Sequence, residues 1–338
     1  MKLFLCFHKK LLVFYFYYSP FSCTISFFSL YSLSIHNYKN MNTKTTNKSQ
    51  AITFIASFGM LLTAAIWGFA FVVVKDSLDV VPPIYMLSFR FTIAGIVLAL
   101  ICIKKLALLN KTILLHGAVL GFFLFIAYAF QTIGCQYTTA GKNAFLTTIY
   151  VILVPLFLWI LTKQQPKPQT IIAAFIALVG IALLSLQEDF SINKGDLLTI
   201  FCSIGFSLHM IFIAHYNATE DAVLLTILQI LFAALFSWIT APFIDGSFPL
   251  YVFHNSKTIF SLLYLGIFST MIAFFLQNIC QKYTPTPIAS LFLSFESVFG
   301  VIFSCIFLKE ILTRKMILGC MLLFCAVILS ELKIKKQK

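Results

Sequence analysis

Charged residues are scarce in this chain, and acidic residues are the scarcest. Asp, Glu, Lys and Arg make up 10% of the 338 residues, only 11 of them acidic, whereas 60% are hydrophobic. A soluble globular domain is about 25% charged, so this composition excludes that class. The apolar runs are about 18 to 24 residues long, enough for a helix to cross roughly 30 Å of hydrocarbon, whereas barrel strands would be about half as long. The sequence therefore predicts an all-α, polytopic integral membrane protein.

The sequence also lacks the motifs that mark most enzymes and metal sites. It contains no phosphate-binding loop, no His-Glu-x-x-His, no Gly-x-Ser-x-Gly and no long soluble segment in which an ATPase could fold. Its nine cysteines show no Cys-x-x-Cys pairing, so we expect no catalytic residues, no metal and no cofactor. The net charge of +13 comes from lysines at the ends of apolar runs rather than from a basic stripe, which argues against a nucleic-acid partner.

What the chain does contain is an internal repeat. Four identities recur at one offset (283 − 137 = 146): Ala127 and Ala273, Gln131 and Gln277, Tyr137 and Tyr283, and Thr138 and Thr284. Upstream, residues 67–90 match 206–229 at an offset of 139 (206 − 67 = 139). Each copy holds about five apolar runs, and a repeat with an odd number of spans must enter the membrane in opposite orientations. We therefore predict about ten transmembrane helices, arranged as two inverted five-helix repeats.

The predicted spans divide the chain into four regions. The spans are placed at about 51–74, 83–103, 112–134, 140–162, 170–187, 197–216, 221–243, 257–280, 287–308 and 315–332. The regions are an N-terminal extension (1–50), a first repeat (51–187), a second repeat (197–332) and a basic tail (333–338). Within the extension, Met41 opens a polar stretch directly before the first span. Residues 1–40 are interpreted as a mis-called start, and the alternatives are a signal-like leader or an extra membrane-associated segment.

Basic residues in the short loops predict the orientation. One set of loops carries most of them: Lys44, Lys48, Lys104, Lys105, Lys111, Lys163, Lys167 and the lysines of the tail. The opposite loops carry Lys142, Lys194, Lys257 and a cluster (Lys309, Arg314 and Lys315) that runs against the rule. Because cytoplasmic loops are enriched in Lys and Arg, both termini are expected in the cytoplasm.

Two charged residues fall inside predicted spans. Arg90 lies roughly 10 Å in from the start of the second span, and Glu296 lies roughly 15 Å into the ninth, near the bilayer midplane, at 1.5 Å per residue. An ionisable group at such depth is costly unless it faces a cavity or a partner. We expect Arg90 and Glu296 to bind substrate or a coupling ion such as the proton. The alternative is a structural Arg90–Glu296 ion pair, or a Glu296 kept neutral by hydrogen bonds.

Other polar-tipped residues are candidates for the same site. Glu296 maps onto Tyr150 at the repeat offset (296 − 150 = 146), and Gln131 and Gln277 form a second symmetric pair. Trp67 and His209 are weaker candidates, because a lone Trp or His in a span is more often a packing residue.

These residues stand in motifs that resemble a known family. The motifs are Ala65-Ile66-Trp67-Gly68-Phe69-Ala70-Phe71 with Lys75, Pro83 and Arg90-Phe91; Tyr137 to Leu146 with Pro155; and Leu291 to Gly300 with Leu308-Lys309-Glu310 and Gly319. They resemble the first, fourth and ninth-to-tenth spans of EamA-type carriers of the drug/metabolite transporter superfamily. The resemblance covers about residues 55–332 and includes the duplication. Ser297 departs from it, since the family usually has proline after this Glu.

The resemblance implies ten helices around a central cavity that opens to one side at a time. We expect a permease that moves a small organic metabolite or drug without ATP. We expect it in the plasma (bacterial inner) membrane, as a monomer or homodimer. Export of amino acids or related metabolites is our first expectation. Uptake of a metabolite such as S-adenosylmethionine is the alternative within transport. A non-transporting membrane assembly or lipid-handling protein is the alternative from another class.

Overall fold

Helices make up the regular structure of the described residues. A computed structural model describes residues 47–185, 193–307 and 313–331, and contains no strand in these ranges. The helices are α1 (Asn47–Ser77), α2 (Pro83–Ile101), α3 (Lys111–Tyr137), α4 (Ala140–Thr148 and Tyr150–Thr162), α5 (Pro168–Ser185), α6 (Lys194–Tyr216), α7 (Ala222–Ile244), α8 (Ser256–Leu263, the π-helical Tyr264–Ile272, and Ala273–Gln281), α9 (Thr286–Leu293 and Glu296–Phe307) and α10 (Arg314–Glu331). Short 3-10 turns cover Ile103–Leu108 and Leu250–His254. The predicted start at Met41 and the predicted tail lie outside the described residues.

The predicted membrane fold is confirmed. Eight of the helical stretches are long and apolar enough to cross a membrane, and the apolar stretch Pro168–Leu183 of α5 is slightly shorter. Many large apolar side chains on the outer surface are exposed, as expected for helices that face lipid rather than water. The chain is therefore an all-α, polytopic integral membrane protein.

Helices α2 and α7, which are equivalent helices of the two repeats, run in opposite directions. Asp245, just after α7, accepts hydrogen bonds from the backbone N–H groups of Ile84 (2.7 Å) and Tyr85 (2.9 Å) in the first turn of α2. At the opposite ends, Lys105 follows α2 and pairs with Asp221 at 2.6 Å, the residue that caps α7. The start of each helix thus lies beside the end of the other, so the two helices are antiparallel.

The helix packing has a pseudo-two-fold pattern. Helix α2 packs on α7, and α5 on α10, which are equivalent helices of the two repeats. The other principal contacts come in matched sets: α3–α6 corresponds to α8–α1, α3–α7 to α8–α2, and α4–α6 to α9–α1. Exchanging the first five helices for the last five therefore reproduces the same neighbours.

Equivalent loops lie on opposite faces of this bundle. Lys111 begins α3 and Lys257 lies in the first turn of α8, and the repeat offset relates them (257 − 111 = 146). Lys111 follows the short connection that carries Lys105, whereas Lys257 pairs with Asp76 at the far end of α1 (2.8 Å). Because an odd number of spans separates equivalent positions, the second repeat is inverted relative to the first.

Both repeats contain a broken helix at the equivalent position. Helix α4 is interrupted at Ile149, and α9 is interrupted at Ser294-Phe295 (295 − 149 = 146). The α9 break occurs although Ser297, rather than proline, follows Glu296. Ser294 is held locally, since its hydroxyl donates to the carbonyl of Leu291 at 2.7 Å. Broken helices are how membrane carriers place backbone ends and polar side chains at the midplane.

Candidate functional site

A cavity lies between the two repeats. It extends from Val74 and Asn143, one turn from one face, to Gln277, one turn from the other. The walls come from α1, α2, α3, α4, α6, α8 and α9, so both repeats contribute. Its lining is Trp67, Ala70, Phe71, Val74, Arg90, Tyr128, Gln131, Asn143, Thr147, Tyr150, Phe206, Met210, Ser269, Gln277, Leu293 and Glu296.

Arg90 supplies the positive charge of the cavity. Its side chain is 1% exposed; Nε donates to the hydroxyl of Thr270 and Nη2 to that of Ser269, both at 2.9 Å. The guanidinium also lies over the ring of Tyr128, 4.6 Å from its centroid, a cation–π contact. These partners are neutral, so they position the cation without cancelling its charge. A guanidinium has five N–H donors, which leaves capacity for an anion in the cavity.

Glu296 supplies the negative charge. It is 4% exposed and stands in the first turn of the second segment of α9, where the positive end of the helix dipole favours a carboxylate. Its Oε1 accepts a hydrogen bond from the hydroxyl of Tyr150 at 3.1 Å. Tyr150 begins the second segment of α4, so the two equivalent residues of the broken helices contact each other. The pseudo-two-fold relation thus brings the predicted Tyr150–Glu296 pair together at the centre of the protein.

Arg90 and Glu296 line the same cavity without forming an ion pair. The ion pairs found among the described residues are Lys105–Asp221, His116–Glu220, Lys142–Asp196 and Lys257–Asp76, and none involves the two cavity charges. A direct ion pair would hold a guanidinium nitrogen of Arg90 within 4 Å of a carboxylate oxygen of Glu296, and these two side chains make no such contact. The cavity is therefore lined by a cation from the first repeat and a carboxylate from the second.

Most of the other predicted site residues also reach the cavity. Gln131 and Gln277 line it toward opposite ends, as the inverted repeat requires, and the amide nitrogen of Gln131 donates to Thr147 Oγ1 at 3.1 Å. Trp67 lines it as well, with its indole N–H donating to the carbonyl of Ser269 at 2.9 Å. This bond joins α1 to the segment of α8 whose Ser269 and Thr270 accept hydrogen bonds from Arg90.

His209 lies apart from these residues. It is fully buried, Nε2 lies 2.9 Å from Oε1 of Gln229, and its ring packs edge-on against Phe274. It does not line the cavity. His209 makes a buried polar contact between α6 and α7. This packing role is the commoner one for a single histidine inside a bundle.

Several cavity residues were not singled out from the sequence: Tyr128, Asn143, Thr147 and Ser269. Neutral hydroxyl and amide side chains are common inside spans, and only their position shows that they face the cavity. A sequence signal did exist for two of them. Asn143, Thr147 and Tyr150 recur at the i, i+4, i+7 spacing that places residues on one helix face.

Polar contacts join helices at both ends of the cavity. At one end, Lys75 donates to the carbonyls of Cys135 (2.8 Å) and Thr138 (3.0 Å), which links α1 to the end of α3. At the other end, the amide of Gln281 donates to the carbonyl of Met210 at 2.6 Å, which links α8 to α6. These are equivalent helix pairs of the two repeats, so the same kind of side-chain-to-carbonyl contact joins helices at each end.

The described residues contain no group of three or more His, Cys, Asp or Glu side chains that could hold a metal ion. Outside the spans, burial tends to raise the pKa of Asp221, but its bond to Lys105 and to backbone N–H groups of α7 lowers it overall. That residue is a helix cap on the surface of the bundle.

Comparison with known proteins identifies the family. The model of the EamA-like transporter family matches twice, over residues 54–186 and 193–332. An uncharacterized transporter of Archaeoglobus fulgidus is 34% identical over 279 residues, covering 82% of this chain and 86% of the relative. The uncharacterized transporter YetK of Bacillus subtilis is 28% identical, covering 73% of this chain and 77% of the relative. A solved crystal structure with 17% identity superposes with a TM-score of 0.67 over 82% of this chain and 96% of its own, which shows the shared fold. This chain is a membrane transporter that belongs to the EamA-like transporter family.

Proposed function

We propose that this transporter exports a small zwitterionic metabolite, an amino acid or a close relative, in exchange for protons. The observation that carries the proposal is the unpaired placement of Arg90 and Glu296 on one cavity. An α-amino acid carries a carboxylate and an ammonium group on one carbon. Arg90 is suited to the carboxylate, because guanidinium binds carboxylates through parallel N–H bonds. Glu296 is suited to the ammonium.

Burial makes this charge pattern selective. A solute that carries only one charge would leave the opposite residue buried without a counter-charge, which is costly in a low-dielectric site. A zwitterion neutralises both residues at once. The neutral partners of Arg90 and the hydroxyl of Tyr150 hold the two charges in place before the solute arrives.

Proton exchange follows from competition for one carboxylate. Arg90 and Glu296 are the charged residues of the lining in the described part of the chain, so Glu296 is the group there that can hold either a proton or an ammonium. If Glu296 releases the proton only when it binds the ammonium group, and the ammonium group only when it binds the proton, inward proton flow drives outward solute flow. The equivalent polar contacts at the two ends and the inverted repeat support alternating access without ATP. We place the protein in the plasma (bacterial inner) membrane with cytoplasmic termini, from the basic loops.

The test is transport by the purified full chain in proteoliposomes. Vesicles loaded with a radiolabelled amino acid mixture are placed in a proton gradient, and efflux and internal acidification are recorded together. We expect efflux that depends on the gradient and that is matched by proton movement. Flux of an amino acid without proton movement would remove the exchange mechanism. Absence of any amino acid binding or flux would mean that the transporter carries another class of solute.

A further inference from the structure

Asn143 carries a hydrogen-bond acceptor that the protein does not use. The residue is completely buried in the first segment of α4 and lines the cavity. Its Nδ2 donates to the carbonyl of Gln131 at 3.1 Å and to Thr199 Oγ1 at 2.8 Å. Its Oδ1 has no hydrogen-bond partner among the residues that the structure describes. An unsatisfied buried amide oxygen is rare in folded proteins and calls for a physical explanation.

The hydrogen-bond network fixes which amide atom is the oxygen. The carbonyl of Gln131 can only accept a hydrogen bond, so the atom of Asn143 beside it is the nitrogen. Thr199 Oγ1 already donates its hydrogen to the carbonyl of Gly195 at 2.7 Å, so it also accepts from Asn143. Rotating the amide by half a turn would place an oxygen against two acceptors. The free atom is therefore an acceptor, held rigidly and directed away from these partners.

Glu296 lies further along the same wall. Asn143, Thr147 and Tyr150 follow one face of α4, and the hydroxyl of Tyr150 contacts Glu296 at 3.1 Å. Seven residues separate Asn143 from Tyr150, or roughly 10 Å along a helix at 1.5 Å per residue. A solute whose ammonium contacts Glu296 needs a side chain several bonds long to bring a donor near Asn143. A serine hydroxyl stays beside its own ammonium, whereas a glutamine amide has the reach.

We propose that Asn143 Oδ1 is a solute-binding acceptor and that the transporter selects amino acids whose side chain ends in an N–H donor, with glutamine as the representative. This inference rests on the proposed function, since it assumes that the zwitterionic head occupies Arg90 and Glu296. It adds a second contact, in which Asn143 recognises the side chain of the bound amino acid. A site built to bond a donor rejects an analogue that lacks it, because the buried acceptor is then left unpaired.

The test compares three amino acids of similar length on the purified full chain. L-glutamine carries the donor, L-norleucine has an apolar side chain, and L-glutamate replaces the donor with a carboxylate that Oδ1 would repel. Affinities are measured by calorimetric titration in lipid nanodiscs. We expect glutamine to bind about tenfold or more tightly than either of the others, from the cost of an unpaired buried acceptor.

Two variants locate the effect. Asn143→Leu has a similar shape without either polar atom, and we expect the advantage of glutamine over norleucine to fall to about twofold or less. Thr199→Val is the matched control. It removes one bond to Nδ2 but leaves Oδ1 and its anchor on the carbonyl of Gln131, so the advantage should persist. Melting curves of all three proteins report whether each variant is folded.

Each result decides the inference. Equal affinity of the unmodified protein for glutamine and norleucine would mean that water satisfies the oxygen, and would overturn the proposal even if Asn143→Leu did not fold. Retention of the glutamine preference in folded Asn143→Leu would overturn it as well. If none of the three amino acids binds, the proposed function itself fails, which is a different outcome from binding without discrimination.

Discussion

Replacing Glu296 with Gln separates solute binding from proton coupling. Gln has nearly the same shape and keeps an oxygen that can accept the hydrogen bond from Tyr150, now 3.1 Å from Oε1. The change removes only the negative charge and the ability to hold a proton. If Glu296 exchanges a proton for an ammonium, the variant loses gradient-driven export while it still binds solute.

The contacts of Glu296 and typical hydrogen-bond energies give the expected changes in affinity and stability. A hydrogen bond to a charged group contributes about 1.5–3 kcal/mol and a neutral one about 0.5–1.5 kcal/mol. The loss on ammonium binding is therefore about 1–2 kcal/mol, or roughly fivefold to thirtyfold in affinity. The free energy of unfolding should change by less than about 1 kcal/mol, because the Tyr150 bond remains and no ion pair is broken.

Two transport assays on the same vesicles make the distinction. Gradient-driven efflux should be abolished in Glu296→Gln, whereas exchange of labelled for unlabelled solute at high concentration should continue, since exchange needs no net proton movement. Tyr150→Phe is the matched control, because it removes the hydrogen bond to Glu296 but leaves the carboxylate titratable. We expect it to keep gradient-driven efflux at a reduced rate. Efflux in Glu296→Gln with the rate and pH dependence of the unmodified protein would refute the reasoning and leave Glu296 as a structural residue.

Three further predictions test the architecture. Single cysteines at Lys111 and Lys257, in a background free of other cysteines, should react with a membrane-impermeant maleimide from opposite faces; labelling from one face would contradict the inverted repeat. Arg90→Ala should stop transport and lower the free energy of unfolding by about 3 kcal/mol, through lost charged hydrogen bonds; a melting temperature equal to that of the unmodified protein would show that these bonds contribute nothing. Gly68→Ala should disrupt transport, because a Cβ there would lie 2.7 Å from backbone atoms of α9, whereas Gly300→Ala, where the nearest atom is 3.7 Å away, should be tolerated. Equal transport rates in the two alanine variants would argue against this close approach.

The sequence by itself determined the class of protein and the repeat. Runs of apolar residues long enough to cross a bilayer can be counted directly, because a membrane helix satisfies its own backbone hydrogen bonds and needs no partner to be recognised. The offset that relates Gln131 to Gln277 also relates Tyr150 to Glu296, and the odd number of spans in each copy implies inversion. Arg90 and Glu296 stood out because a charge inside a span is costly wherever it lies.

Only the tertiary structure decided how these residues meet. The sequence left open an Arg90–Glu296 ion pair, and the packing of α2 and α9 instead holds the two charges on separate walls of one cavity. His209 and Asn143 both show that the sequence did not determine which polar side chains reach the cavity. His209, a weaker candidate from the sequence, is enclosed between α6 and α7, whereas Asn143, which the sequence did not single out, lines the cavity and has a buried oxygen without a partner among the described residues. Side-chain direction across a bundle depends on how helices from distant parts of the chain rotate against each other, and no local pattern of residues specifies that rotation.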